Sequence, residues 1–255
     1  MNTMTIRSEA SIIIPDWSAP ARVRAVSTTR IGGQSARPYD SLNLAQHVGD
    51  SESDVSANRE CLKQLAGYCN EPLWLEQVHG NTVVNADNCG SSIVADASFS
   101  ASNNKVCVVM TADCLPVLFC DKQGRAVAAA HAGWRGLANG VLEASLQQLC
   151  DELACSADQI LAWLGPAIGP LAFEVGDEVR EAFIAQHDVE SAFIAADKGH
   201  WLMDIYAVAR ARLNTAGVTD ISGGGHCTFS DSEHFFSYRR NKTCGRMASL
   251  IWLQD

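Results

Sequence analysis

The sequence predicts a domain of the α/β or α+β class, on three observations. Short apolar runs rich in β-branched residues alternate with stretches of helical periodicity, a pattern unlike a helix bundle or a sandwich. At 255 residues, 47% hydrophobic and 19% charged, the chain can bury a full-sized core. No Pro/Ser/Gly-rich linker, low-complexity tract or repeat interrupts it, so residues 1–255 are expected to form a single domain.

The elements follow in chain order. A helix is expected from near Asp54, with the apolar stripe Val55, Arg59, Leu62, Ala66, Cys69. Arg59 stands where an aliphatic residue belongs, so its guanidinium should face inward and find an anion, either a structural carboxylate or a bound phosphate or carboxylated substrate. Strands are expected at Leu73 to Val78, Val106 to Met110, Leu115 to Cys120 and Ala126 to Ala130. A helix opening near Gly136 places Leu137, Val141, Leu142, Leu146 and Leu149 on one stripe, which should lie on a sheet. A further strand is expected at Ile160 to Leu164. Two more helices begin at Asp177 and Asp204, each aspartate able to accept free N–H groups of the first turn.

Composition excludes several function classes. The net charge of −10, from 29 acidic against 19 basic residues, repels a phosphate backbone, so no nucleic-acid partner is expected. The N-terminal stretch offers three consecutive apolar residues, Ile12 to Ile14. The longest apolar runs elsewhere reach about five, far below the roughly 18 needed to span a bilayer. The expectation is a cytoplasmic protein with no membrane partner. Its ten cysteines, scattered and without CxxC spacing, are read as reduced thiols.

Three segments place a good metal ligand where a predicted strand stops: His79 after Leu73 to Val78, Cys114 after Val106 to Met110, and His131 after Ala126 to Ala130. Two imidazoles and one thiolate give zinc three protein ligands and leave one position for water or substrate, the arrangement of a catalytic site. Zinc lowers the pKa of such a water to about 7. The same residues admit two other readings. Cys114 with His131 could be a thiolate–imidazolium nucleophile pair for amide hydrolysis, or the set could be the equatorial ligands of a blue-copper centre with Met110 axial. A complete multicopper oxidase needs more imidazoles than the seven present, and no His-x-His pair occurs. Arg30, ahead of the pair Gly32-Gly33, is a second anion-binding candidate whose glycine N–H groups could form a nest. Arginine outnumbers lysine 14 to 5, which suits bidentate contacts. His187 and His200 are read as surface residues and the run Gly223-Gly224-Gly225 as a tight turn. No ATP or NAD signature is present.

The runs SLNLAQHVGD (Ser41 to Asp50), WLEQVHG (Trp74 to Gly80), MTADCLPV (Met110 to Val117), AAHAGWRG (Ala129 to Gly136), LGPAIGP (Leu164 to Pro170) and FFSYRR (Phe235 to Arg240) resemble the YfiH-type laccase-domain family across nearly the whole chain. Members of that family have been called polyphenol oxidases, purine nucleoside phosphorylases and peptidoglycan editing factors. The resemblance implies an α+β domain of mixed β-sheets flanked by helices, similar to the cytotoxic necrotizing factor catalytic domain. It implies zinc on His79, Cys114 and His131, which are then also the catalytic residues, with copper as the other possible metal. It also implies phosphorolysis of adenosine, inosine, guanosine and methylthioadenosine, and deamination of adenosine. Under that reading Arg59 and Arg30 are candidates for phosphate, and Asn43 and His47 for ribose or base. The alternatives carried forward are an amidase acting on a nucleotide-linked muropeptide precursor, a copper-dependent phenol oxidase, and a metal-dependent binding protein. The family more often has Asp-Arg-Cys where this chain has Gly225-His226-Cys227, and Asp where it has Asn241.

Overall fold

The computed structural model describes residues 11–90 and 93–255. The first ten residues, part of the stretch searched for an export signal, lie outside them. Two sheets form the centre. One has four strands in the order Ile12–Ile13, Val23–Thr28, Met247–Leu253, Cys107–Thr111, all antiparallel. The other has six, in the order Asp220–Gly223, Ile160–Leu164, Leu115–Asp121, Val127–Ala132, Ala97–Ser100, Val83–Asn85. Its outer pairs are parallel and its inner pairs antiparallel, so the sheet is mixed.

Side-chain alternation explains how these sheets stack, because successive residues of a strand point to opposite faces. In the four-stranded sheet Val109 and Ile251 face the second sheet, where they meet Leu118, Ala129 and Trp163. Their neighbours Val108 and Leu250 face outward and are covered by Leu42, Leu44, Leu62 and Tyr68. Leu62 belongs to helix α1 (Glu52–Ala66). In the six-stranded sheet Phe119, Ala128 and Ala130 turn the other way, onto helices of the opposite flank. The result is four layers, helix on sheet on sheet on helix, with both strands that lead to Cys114 and His131 buried on both faces. The alanines of Val127–Ala132 let the opposing sheet and the covering helix approach the central strand closely.

The helix expected from Gly136 is two helices, α2 (Trp134–Ala138) and α3 (Val141–Leu153). Gly140 between them takes φ +89°, a conformation that only glycine adopts freely. The buried Arg212 guanidinium accompanies the break by donating to the carbonyls of Leu137 and Ala138 at the end of α2. The apolar stripe Leu137, Val141, Leu142, Leu146, Leu149 is buried as expected. Helix α4 (Asp177–Ile184) starts with its aspartate inside the first turn, and α5 (Ile205–Thr215) is capped by Asp204, whose carboxylate accepts from Tyr206 N and Ala207 N. Helix α1 starts earlier than expected because Ser51, rather than Asp54, is its cap.

The strand expected over Leu73 to Val78 is only Leu75–Glu76, paired in parallel with Ile93–Val94. It stops there because the Gln77 side chain replaces backbone pairing: its amide donates to Met110 O and accepts from Met110 N. The strand expected to end at Ala130 runs on through Ala132, so His131 lies within it. All ten cysteines are free thiols. His200 is exposed, but His187 is half-buried rather than on the surface. Among the described residues no helix is long and apolar enough to cross a membrane.

Asp121 closes the hairpin between Leu115–Asp121 and Val127–Ala132. Its buried carboxylate accepts from Gln123 N, Arg125 N, Ala126 N and Arg125 Nε. Burial pushes its pKa up, and these donors outweigh that and hold it below the usual carboxylate value. Replacing it should therefore leave buried donors unpaired: Asp121→Ala is expected to lose about 2–3 kcal/mol in urea unfolding at pH 7. With the folded-state pKa depressed, this contribution is complete above the unfolded value near ~3.9 and disappears as the pH falls through the folded value. The gap between wild type and variant should thus close in acid.

Candidate metal centre

The site is organised by a residue absent from the sequence-based list, Asp96. It is fully buried in the short link between Ile93–Val94 and Ala97–Ser100. Three successive N–H groups converge on its carboxylate, from Val78 (3.3 Å), His79 (2.9 Å) and Gly80 (2.6 Å). The loop can present them in this way because His79 adopts φ +63°. The same carboxylate meets His131 Nδ1 at 2.8 Å, and the Asp96 carbonyl accepts from His131 N. A single side chain thus fixes the His131 ring and the backbone that carries His79. With Nδ1 of His131 held at Asp96, its Nε2 faces the opposite way, the orientation a metal-binding imidazole requires.

Cys114 follows the Cys107–Thr111 strand through a turn in which Asp113 has φ +88°. Its Sγ lies 3.7 Å from His79 Nε2. The two rings stand edge to face with centroids 4.8 Å apart. The three donor atoms all lie within 4.8 Å of one another, a set compatible with one metal ion. His131 is buried, Cys114 is half-buried and His79 is exposed, so the cluster opens on one side. Space is tight on the other: a Cβ at residue 133 would meet His79 Cδ2 at 2.7 Å and Cys114 Sγ at 3.0 Å, which accounts for Gly133. Burial alone would raise the Cys114 thiol, and His131 together with His79 outweighs it and holds the thiol well below its ordinary value. Desolvation would lower His131, but the facing sulfur and Asp96 hold it above an ordinary imidazole. Thiolate character at neutral pH is what a metal ligand needs. The donor chemistry, the orientation of His131 and the glycine cradle therefore fit a metal ion on His79, Cys114 and His131.

The cluster forms the floor of a cavity of about 440 Å³ whose walls include His47, Gln77, Arg135, Tyr238 and Arg246. His47 is therefore brought to the site. Burial, then Arg246 and Arg59, hold its pKa down, which favours the neutral ring. Arg59 lines an adjoining cavity of about 840 Å³ that shares His47, Gln77 and Met110 with the first. It is half-buried as its stripe position suggests, but among the described residues it has no carboxylate partner. Its Nε donates to Leu44 O and its guanidinium stacks on Trp74, 3.8 Å from the ring centroid. Arg30 and Asn43 are placed elsewhere. Arg30 is engaged by Asp40 through a 3.2 Å ion pair and a bond to its carbonyl, by Ser232 O, and by the Phe236 ring. The expected glycine nest beside it is occupied from within, since Gly33 N donates to Ser41 Oγ and Gln34 N to Asn58 Oδ1. Asn43 is fully buried and binds Ala45, Asp50 and Arg246 N, so it reaches the cavity only through the backbone of Arg246.

Sequence reasoning missed Asp96, Arg135, Tyr238 and Arg246. A usable signal existed for Asp96, a single carboxylate inside an otherwise small and apolar run from Ile93 to Ser100.

Mixed sheets closing on a His–Cys–His cluster define a laccase-like domain, and residues 24–254 match the family described as multi-copper polyphenol oxidoreductase laccase. The chain is 57% identical over 245 residues to a Pseudomonas aeruginosa protein named purine nucleoside phosphorylase, covering 95% of this chain and 98% of that one. It is 53% identical to the Escherichia coli purine nucleoside phosphorylase YfiH, covering 96% and 99%. Among solved structures, a Neisseria meningitidis DUF152 protein superposes with a TM-score of 0.91 at 47% identity over 96% of this chain and all of that one. YlmD from Geobacillus stearothermophilus gives 0.88 at 29% identity over 92% and 93%. The chain belongs to the YfiH/DUF152 family of laccase-like domains.

Purified protein should carry about one zinc per chain by elemental analysis, and Cys114→Ala, His79→Ala and His131→Ala should each abolish stoichiometric binding. Full zinc retained by Cys114→Ala would remove the thiolate from the coordination set. Asp96→Asn, which loosens the His131 ring and the loop carrying His79, should weaken zinc about 10- to 100-fold in chelator competition.

Proposed function

We propose that the protein is a zinc-dependent purine nucleoside phosphorylase that also deaminates adenosine. The observation that carries this reading is the three-donor cluster opening into a cavity whose other polar walls include two guanidinium groups and the His47 imidazole. The relatives' name supplies the substrate class. A metal on His79, Cys114 and His131 would supply Lewis acidity at the cavity floor. In phosphorolysis a phosphate oxygen attacks C1′, the glycosidic C–N bond breaks, and the purine leaves with a proton to give ribose 1-phosphate. In deamination water replaces the C6 amino group and ammonia leaves.

The chain's own groups match those demands. Arg135 and Arg246 present positive charge to the cavity, and Arg59 does so from the adjoining one, so a phosphate at their junction would be held by guanidinium groups. His47 stands between the two cavities and can hydrogen-bond sugar or base as a neutral ring. Arg30, already neutralised by Asp40, is the weaker phosphate candidate, and Asn43 would act on the site by holding the Arg246 backbone. An amidase acting on a muropeptide precursor would use the same cluster.

A product-resolved assay of adenosine with and without phosphate tests the reading directly: adenine and ribose 1-phosphate should appear only with phosphate, and inosine in either case. On the same preparation Arg59→Ala should raise the phosphate concentration required by one to two decades, since losing a charge-assisted contact costs about 1.5–3 kcal/mol. Deamination, which uses no phosphate, should change much less. Equal loss of both activities would mark Arg59 as structural. Copper titrated into chelator-treated protein should give only slow phenol oxidation, because seven histidines cannot complete a multicopper assembly. Several coppers per chain with fast oxidation would overturn the assignment.

A further inference from the structure

We propose that Tyr238 is the residue that binds the planar base of the substrate, by stacking, and that Asp113 is the residue that positions it; the inference rests on the purine nucleoside reading above. Tyr238 lines the cavity over the metal centre, and its ring is the one aromatic group of that lining other than imidazole. Two of the three imidazoles, His79 and His131, are committed as ligands, which leaves Tyr238 and His47 as the flat surfaces available to a base. Tyr238 is 46% exposed, and its hydroxyl takes no hydrogen bond among the described residues, so the ring is not held there by burial or by its polar end.

What holds it is the chain on either side. Asp113 Oδ2 accepts from Ser237 Oγ at 3.0 Å and from Arg239 N at 2.6 Å, the two residues that bracket Tyr238. Asp113 Oδ1 accepts from Thr228 Oγ1 at 2.6 Å, and the Asp113 carbonyl accepts from Ile168 N. This buried carboxylate immediately precedes Cys114, so the metal ligand and the turn carrying Tyr238 share one anchor. Two cations lie over the ring, Lys242 Nζ at 4.6 Å and Arg246 Cζ at 5.7 Å from its centroid, and Arg246 is itself bound to the carbonyls of Cys244 and Gly245. A ring clamped in place without being buried presents a π-face to the cavity at little further entropic cost, and every purine offers a matching face.

The test is steady-state phosphorolysis of adenosine, varying nucleoside and phosphate separately, with zinc content and thermal unfolding recorded for each protein. Tyr238→Ala should raise the adenosine KM about ten- to a hundredfold, with kcat changed far less and the phosphate KM near its wild-type value. Tyr238→Phe, which keeps the π-face, should behave like wild type. Asp113→Ala should show the same rise in adenosine KM with zinc still bound, and combining it with Tyr238→Ala should add nothing further, because both remove one interaction. Asp113→Asn should recover much of the loss, since its oxygen can serve Ser237 and Arg239 while its amide faces the Thr228 hydroxyl. If Asp113→Ala does not fold, Ser237→Ala, which removes one arm of the clamp, should raise the adenosine KM in the same selective way. An unchanged adenosine KM in Tyr238→Ala, an equal rise in both KM values, or additive losses in the double variant would overturn the proposal. Should wild type release no adenine, equilibrium dialysis of adenosine decides: weaker binding by Tyr238→Ala than by wild type supports the stacking role, and no binding by wild type overturns it.

Discussion

The buried carboxylate of Asp96 is the constraint on which the centre depends. Burying a charge is costly unless it is fully hydrogen-bonded, and here the loop around His79 and the strand carrying His131 both supply donors to it. Desolvation would raise its pKa, and the His131 ring with the Gly80 and His79 amides brings it below the ordinary value. Each donor is fixed by satisfying Asp96, and Asp96 tolerates burial because of each donor. The His131 orientation and the course of the His79 loop are consequences of a hydrogen-bond network that belongs to the protein itself.

The layered fold brings that network together. Cys114 closes the turn from the four-stranded sheet into Leu115–Asp121, whose antiparallel pairing with the His131 strand (Leu115 opposite Ala132, Pro116 opposite His131) sets Cys114 beside His131. His79 comes from a short two-stranded element with little pairing of its own, and it is located by the Gln77 amide on Met110 as well as by Asp96.

How much of this was legible in the sequence follows from which signals are local. The strand Ile160–Leu164 has the expected limits, and the apolar stripe beginning at Leu137 is buried, because β-branched runs and helical periodicity depend on nearby residues. His79, Cys114 and His131 were recognisable as good donor types where expected strands stop, His79 and His131 with glycines just beyond. Asp96 stood out only as the single carboxylate of the run Ile93 to Ser100, and nothing in the spacing announces that three amides and an imidazole will converge on it. Arg59 divides the same way. Its inward direction was readable from the stripe, but its partners, the Leu44 carbonyl and the Trp74 indole, lie in segments that only the tertiary fold brings near. The break at Gly140 escaped notice for a similar reason, since Arg212 from α5 supplies the donors at the end of α2.

The Asp96 network has one more consequence, for what the protein contains when it leaves a cell. Its hydrogen bonds join only the protein's own groups, so the network does not depend on an ion to form, and a metal would be bound after it. Two imidazoles and a thiolate suit copper as well as zinc, and intrinsic affinities rank copper above zinc. A centre assembled in this order records supply: the ion it carries reflects the medium, the host and the chelators it has met. Two preparations of one sequence can then differ in chemistry without differing in fold, and metal content becomes a variable of every activity measurement rather than a property of the gene.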